Sequence, residues 1–224
     1  MDSGFTQTLL LTFQLAAVTT VLLLFIGVPL AFLLSRTQSR FKPILEALIS
    51  MPLVLPPTVL GFYLLLAFSP RSALGNWLVE TANIRLVFSF AGLVIGSLIY
   101  SLPFMVQPIQ SGFESLPKHL REASYSLGKS VWQTLLRVEL PNIKPAVLTG
   151  IVLAFAHTVG EFGVILMIGG NIPGETRVAS IAIYDEVEAL NYGMANQYAL
   201  VLVLFAFTIL ALVYTINRRM LRTA

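Results

Sequence analysis

Five long apolar runs constrain this chain more than any other feature of its sequence. In order, they are Leu9 to Leu34, Ile44 to Phe68, Leu86 to Ile109, Ala146 to Ile168 and Tyr198 to Ile216. A helix of about 20 predominantly apolar residues can cross the hydrocarbon core of a bilayer. Only 11% of the residues are charged, whereas soluble domains average about 25%. The sequence therefore predicts an all-α, polytopic membrane bundle of about five transmembrane helices, forming one domain over residues 1–224.

The basic residues indicate how this bundle is oriented. Lys and Arg concentrate in three segments. The first, after the first run, has Arg36, Arg40 and Lys42; the second, between the third and fourth runs, has Lys118, Arg121, Lys129, Arg137 and Lys144; the third, after the fifth run, has Arg218, Arg219 and Arg222. The segments Ser69 to Arg85 and Gly169 to Gln197 carry few basic residues. Because cytoplasmic loops hold the excess of Lys and Arg, we expect the N-terminus outside and the C-terminus inside.

Prolines concentrate in the second and third apolar runs. Pro52, Pro56 and Pro57 lie in the second run, and Pro103 and Pro108 lie in the third. Proline removes a backbone donor and kinks a helix, and a membrane tolerates the freed carbonyl groups only beside other protein or a water-lined cavity. Both helices are therefore predicted to be kinked and to line a pathway, with the three prolines of the second run as candidate pathway residues.

The polar connection of about residues 112–144 has the pattern of a helix, a turn and a second helix. Helical spacing between Lys118 and Leu127 places one set of apolar side chains on a common face: Leu120, Ala123 and Leu127. Gly128 supplies a stop or a left-handed turn. A second apolar stripe, which ends at Leu140-Pro141, consists of Trp132, Leu135, Leu136 and Val138. Such a unit can lie on a membrane surface or fit a groove on another protein.

This connection resembles the cytoplasmic loop of binding-protein-dependent ABC importer permeases. The matching positions are Glu122, Ala123, Ser124, Gly128, Val138, Leu140 and Pro141, with Ser124 and Val138 standing where the family motif has Ala and Ile. The resemblance implies that the loop forms coupling helices, which dock into a cleft of a cytoplasmic ATPase present in two copies. It also implies a homodimer around a central pathway and a periplasmic or tethered binding protein that delivers the substrate.

A second resemblance narrows the substrate class. The run from His157 to Gly163, the segments Gly170 to Arg177 and Ile181 to Tyr184, and the stretch Met51 to Pro57 are similar to molybdate importer permeases of the ModB type. Tungstate and sulfate or thiosulfate permeases share elements like Gly-Glu-Phe-Gly, so they remain alternatives. The Asn-Ile-Pro-Gly-Glu-Thr run favours molybdate. This resemblance implies a multi-pass protein of the bacterial cytoplasmic (inner) membrane.

Glu161 is an acidic residue inside the fourth apolar run, where a charged side chain costs about 2.5–3.5 kcal/mol. It is a candidate gate or pathway residue, although hydrogen bonding to a neighbouring helix or loop accounts for it equally well. His157 lies one turn earlier and is a candidate partner. The flanking Gly160 and Gly163 are candidate pathway residues too, and we expect them to allow close helix packing.

Several other functions find no support in the sequence. The chain has no Cys and no phosphate-binding loop of the Gly-x-x-x-x-Gly-Lys-Ser/Thr type, so ATP and Mg²⁺ are expected only on the partner ATPase, and no cofactor or metal site is expected here. The basic residues are dispersed, which argues against nucleic-acid binding. A stand-alone secondary transporter would need a coupling-ion site, for which Glu161 is the only candidate. The external segment Thr176 to Leu190 is expected to be an amphipathic helix, with Val178, Ile181, Ala182 and Val187 facing inward.

Overall fold

The computed structural model describes residues 3–222, excluding the side chains of Ser3, Tyr214 and residues 216–222. The regular secondary structure of this part of the chain is entirely helical, with no strand. The α-helices are α1 (Ser3–Arg36), α2 (Lys42–Ser50), α3 (Pro57–Phe68), α4 (Ala73–Ala82), α5 (Phe90–Ser115), α6 (Lys118–Ser126), α7 (Val131–Thr134), α8 (Leu140–Asn142), α9 (Lys144–Gly160), α10 (Gly163–Gly169), α11 (Ala179–Glu188) and α12 (Tyr192–Arg222). A 3₁₀ turn, Met51–Leu53, follows α2, and a π-helical segment, Leu135–Glu139, joins α7 to α8.

Three of these helices are long and apolar enough to cross a membrane: α1, α5 and α12. Two bent pairs bring the number to five if each pair is one span. The pair Lys42–Leu53 and Pro57–Phe68 is bent by 104°, and the pair Val131–Asn142 and Lys144–Gly160 by 78°. The prediction of an all-α membrane bundle is confirmed.

The centre of the bundle consists of α1, α5 and α9. Helix α5 contributes a buried stripe that runs along most of its length. Side-chain pairs such as Phe32 with Phe113 show that α1 and α5 meet at their C-terminal ends. Contacts of Gly112 with Ala146 and of Ser101 with Thr158 show that α9 runs antiparallel to α5.

Helix α12 covers one side of the bundle and runs parallel to α1. Two ring contacts, Phe5 with Tyr198 and Phe13 with Phe205, have centroid separations of 4.5 Å and advance along both helices in the same direction. The C-terminal end of α12 therefore lies at the same face of the bundle as Arg36. The side chains of Arg218, Arg219 and Arg222, on which the predicted orientation partly rests, lie outside the described residues.

The second apolar run is not one kinked helix, as the sequence predicted, but two helices separated by a break. The 3₁₀ turn holds the buried Pro52, and α3 begins anew at Pro57 with Pro56 in an extended conformation before it. Two adjacent prolines explain the break, because the residue before a proline avoids the helical region and proline itself suits the first turn of a helix. By contrast, α5 continues as one helix through Pro103 and Pro108.

The fourth apolar run is also divided, which hydropathy alone did not indicate. Helix α9 ends at Gly160, Glu161 is extended with φ −66° and ψ 135°, and α10 starts at Gly163. The carbonyl oxygen of Glu161 accepts a hydrogen bond from the Ser180 hydroxyl of α11 at 2.5 Å. The break is thus held by α11, since a side chain satisfies a backbone carbonyl that the helix leaves free.

Candidate pathway cavity and coupling loop

The breaks in the second and fourth apolar runs meet at one cavity of about 430 Å³. Its walls come from the first turn of α3, from α5, from the end of α9 and from the break before α10. The lining residues are Pro57, Thr58, Tyr100, Ala156, His157, Gly160, Glu161, Phe162 and Gly163. The structure therefore brings together five of the seven candidate pathway residues, whereas Pro52 and Pro56 are not among the lining residues. We call this space the pathway cavity.

The Glu161 side chain is the unusual member of this cavity. The residue is only 3% exposed, and within the described residues neither carboxylate oxygen has a hydrogen-bond partner. Ser97 of α5 is the polar neighbour of the carboxyl, but its hydroxyl lies outside hydrogen-bonding geometry. A buried polar group without a partner is costly, so the position of Glu161 is not explained by the stability of the fold.

The predicted pairing of His157 with Glu161 is wrong. The Nδ1 atom of His157 instead lies 2.9 Å from the hydroxyl of Ser101, and its ring stacks on Phe104 with a centroid separation of 4.0 Å. The end of α9 explains the difference, because the helix stops at Gly160 and the i, i+4 geometry that would join the two side chains no longer holds.

The two glycines beside Glu161 differ in role. A Cβ atom on Gly163 would lie 2.8 Å from Cβ of Pro57 and 3.2 Å from the Thr58 nitrogen, so the expected close packing is present there. Within the single chain no such packing is present at Gly160, because the residue is exposed and a Cβ would meet nothing within 4 Å; for Gly160 the expectation stays a prediction. Gly160 faces the open side of the pathway cavity.

The sequence places the coupling loop at about residues 112–144, but α5 continues to Ser115 and α9 starts at Lys144, so the loop is defined as residues 117–143. Its first helix is where the sequence predicts it. Helix α6 spans Lys118–Ser126, and Gly128 follows it with a φ of +72°. The N–H of Gly128 donates to the Tyr125 carbonyl and that of Lys129 to the Ser124 carbonyl, which together close the helix as a Schellman motif. A Cβ at Gly128 would meet nothing within 4 Å. Glycine is therefore required here by backbone conformation and not by crowding.

The second helix of the loop departs from the prediction that it ends at Leu140-Pro141. Residues Val131–Asn142 form a continuous path of α7, the π-helical segment and α8. The N–H of Leu140 donates to the Leu135 carbonyl, five residues earlier. This wider turn lets Pro141 occupy the start of a new α-helical turn, where its missing donor is not needed.

The motif residues of the loop divide into an outward and an inward set. Glu122, Ala123 and Leu127 are exposed, Leu127 to 77%. Ser124, which differs from the family motif, is buried, and its hydroxyl lies 2.8 Å from that of Thr134 in a bond between the two coupling helices. The exposed apolar face of α6 thus has no partner among the described residues and is available to another protein.

Sequence reasoning missed Glu139, the acidic residue within the second apolar stripe. Glu139 is 1% exposed. Its Oε1 lies 2.5 Å from Nη2 of Arg36 and 3.7 Å from Nε of Arg121. The only sequence signal for this buried ion pair was a charge flanked by Val138 and Leu140, because the partners of Glu139 are distant in sequence.

The opposite face of the bundle carries α11. Val178, Ile181 and Ala182 are buried as predicted, whereas Val187 is exposed, because α11 is almost complete at that point and no neighbouring helix covers it. Tyr184 donates a hydrogen bond to Glu188 at 2.6 Å, and this bond raises the pKa of Tyr184 above its usual value. No three His, Asp or Glu side chains are grouped as a metal site would require in the part of the chain that the structure describes.

Comparisons with known proteins agree with this architecture. A family model described as "Binding-protein-dependent transport system inner membrane component" matches residues 24–222. The molybdenum transport system permease protein ModB of Azotobacter vinelandii is 48% identical over 93% of this chain and 92% of its own length. A probable sulfate transport system permease protein of Nephroselmis olivacea is 34% identical over 82% of this chain and 64% of its own length. The crystal structure of a bacterial ABC transporter that imports alginate matches 98% of this chain and 80% of its own with a TM-score of 0.80 at 16% identity.

Proposed function

Because the chain belongs to the family of inner membrane components of binding-protein-dependent transport systems, we propose that it forms the membrane pathway of an ATP-driven importer for molybdate. The chain is an integral membrane subunit and not itself an enzyme; in this family ATP hydrolysis belongs to a separate chain. The observation that carries the choice of substrate is the 48% identity to a molybdenum permease over nearly the whole length of both proteins.

The subunit works as a homodimer with two copies of a cytoplasmic ATPase and with a binding protein on the outer side. ATP and Mg²⁺ are held by the ATPase. On this chain, the surface on which the ATPase docks is the exposed face of α6 around Glu122, Ala123 and Leu127. The apolar side chain of Leu127 is 77% exposed there. Gly128 and the buried Ser124 fix the shape of this surface, and Leu140-Pro141 begins the return to the membrane.

The pathway cavity is the part of the translocation route that this chain supplies. Broken helices occur in membranes where they line a cavity, and the breaks before Pro57 and after Gly160 meet at the same one. Glu161 acts as a gate residue at that point, with His157, Gly160, Gly163 and Pro57 forming the walls. The carboxylate would repel an oxyanion while the cavity is closed, so this role requires Glu161 to move when the cavity opens.

The N-terminus lies outside and the coupling loop and C-terminus lie inside. This orientation is supported by the basic residues Arg36, Lys42 and Arg121, which meet at one end of the bundle together with the loop. An excess of Lys and Arg is typical of cytoplasmic faces. The location is the bacterial cytoplasmic membrane.

The proposal is tested by uptake of labelled molybdate at low concentration into cells with and without this chain, in a strain that lacks other routes. We expect uptake to disappear on deletion, to be competed by excess tungstate and to be competed weakly by sulfate. Unchanged molybdate uptake together with lost sulfate uptake would reject molybdate and transfer the chain to sulfate transport, which the similarity to sulfate permeases makes the second candidate. Tungstate uptake is measured in the same cells.

A further inference from the structure

Three polar contacts connect the coupling loop, through α1 and α11, to the break beside the pathway cavity. The first is the buried ion pair of Glu139 with Arg36, the last residue of α1. The second joins the Thr12 hydroxyl of α1 to the N–H of Ala179, the first residue of α11, at 2.8 Å. The third is the hydrogen bond from Ser180, the next residue, to the carbonyl of Glu161. These contacts form a continuous chain of bonded groups from the loop to the break in the fourth span.

The loop end of this chain is fixed by more than one bond. Glu139 Oε1 is shared by Arg36 and Arg121, so one carboxylate joins α1, α6 and the π-helical segment. The Arg36 guanidinium also lies 4.8 Å above the Phe32 ring and donates to the hydroxyl of Tyr125 at 3.5 Å. Because a buried charge requires its partner, a movement of the loop that kept the pair intact would carry the end of α1 with it.

At the other end of this series of contacts, α11 bonds to the Glu161 break beside the pathway cavity. Thr12 is 1% exposed, and its hydroxyl both donates to the Thr8 carbonyl and accepts from Ala179. Between Thr12 and Arg36, α1 is a single helix of about 36 Å at ~1.5 Å per residue. Such a helix transmits displacement along its axis better than a loop does, because its backbone groups are hydrogen-bonded within the helix, apart from the donor that Pro29 lacks.

We propose that α1 is the element that transmits movement of the coupling loop to the Glu161 break, with Glu139 and Arg36 as the input contact and Thr12 and Ser180 as the output contact. The four are positioning residues. The inference rests on the proposed function, because it presumes that an ATPase moves the loop. Coupling between distant sites requires a contiguous element that both sites bias, and α1 packs against both α5 and α9.

The test uses the complete importer, with its ATPase and binding protein, in proteoliposomes. Molybdate uptake and ATP hydrolysis are measured in the same vesicles for Glu139→Gln, Arg36→Gln and Ser180→Ala. Each variant is expected to lower the molybdate carried per ATP hydrolysed by about fivefold or more, while the ATPase still copurifies. The charge exchange Arg36→Glu with Glu139→Arg should recover part of the loss.

The control variants change similar bonds outside this chain of contacts. Glu114→Gln removes an ion pair with Lys42 at the same face of the membrane, and Thr208→Val removes a hydroxyl bond within α12. Both should leave the ratio of uptake to hydrolysis unchanged. Because input and output act in series, Glu139→Gln combined with Ser180→Ala should be no worse than the stronger single variant.

Two results would overturn the inference alone. One is a wild-type ratio in the Ser180→Ala variant, which is too mild a change to prevent folding. The other is losses that multiply in the double variant, as independent sites would give. If the unmodified complex binds no ATPase or carries no molybdate, the proposed function fails, and the inference fails with it. Measurements on the unmodified complex therefore distinguish failure of the proposed function from failure of this inference alone.

Discussion

Glu161 is the residue at which the break in the fourth apolar run, helix α11 and the pathway cavity meet. Its backbone carbonyl is satisfied by Ser180, whereas its carboxylate has no partner within the described residues. A buried group of this kind persists at functional sites, where the surrounding structure enforces it. The residue type and its place in an apolar run were visible in the sequence, but its surroundings were not, because they depend on where α9 ends.

Replacing Glu161 with an apolar residue of similar length should separate stability from transport. For Glu161→Met we expect the folded protein to become more stable by about 1–3 kcal/mol, because an unpartnered buried polar group is removed, while molybdate uptake falls. Thermal unfolding in detergent and vesicle uptake measure the two effects. The exposed Glu175→Gln serves as the stability control. Higher stability with unchanged uptake would show that Glu161 is not a gate residue.

Gly128 is required for its backbone conformation. The stability lost on substitution there should therefore follow the free-energy cost of placing the new residue in the left-handed region. Gly128→Ala should cost about 1 kcal/mol of local stability, and Gly128→Asn less, because Asn tolerates positive φ. We expect less ATPase to copurify with the alanine variant than with the asparagine variant. Gly193→Ala, within α12, is the matched control. Equal ATPase recovery in both Gly128 variants would contradict this explanation.

At the scale of elements, the coupling loop behaves as one unit because its two helices are joined inside. Ser124 of α6 and Thr134 of α7 share a buried hydrogen bond of 2.8 Å. The family motif that this loop resembles has Ala at the position of Ser124, and Ala cannot form this bond. It fixes the angle between the exposed face of α6 and the segment that carries Glu139.

Removing one hydroxyl of this pair should cost more than removing both. Thr134→Val leaves the buried Ser124 hydroxyl without its partner and should destabilise the loop by about 1–3 kcal/mol. Adding Ser124→Ala should recover part of that loss. Thermal unfolding of the two single variants and the double variant measures the coupling between the sites. If the double variant is as unstable as the sum of the two single ones, the bond does not join the helices.

The elements also show what the sequence could and could not predict. The apolar runs located the long membrane helices, and the motif located α6 and the turn at Gly128, because both signals are local; α4 lies between two runs, where no helix was predicted. The breaks between helices were harder to predict from the sequence. Pro56-Pro57 indicated a bend but not its size of 104°, and Glu161-Phe162 lies in a run that stays apolar on both sides. The contact of Arg36 with Glu139 joins residues 103 positions apart, which no local pattern reports.

For the whole molecule, the parallel course of α1 and α12 places the C-terminal end of α12 at the face that carries the coupling loop. The pathway cavity opens on another side, at the exposed Gly160. One copy of the chain encloses this cavity only in part, so a second copy is expected to supply the opposite wall. The proposed homodimer and the proposed pathway therefore depend on the same surface.

The absence of Cys from the chain allows this surface to be tested by single cysteines. Gly160→Cys adds a side chain at a position where a Cβ meets nothing within 4 Å. If two copies face each other across the cavity, mild oxidation in membranes should give a disulfide-linked dimer, and the yield should change when ATP is added, because the cavity opens and closes. Val203→Cys, 64% exposed on α12, should remain monomeric. A dimer through Val203 and none through Gly160 would place the interface on α12 and separate the cavity from the dimer axis.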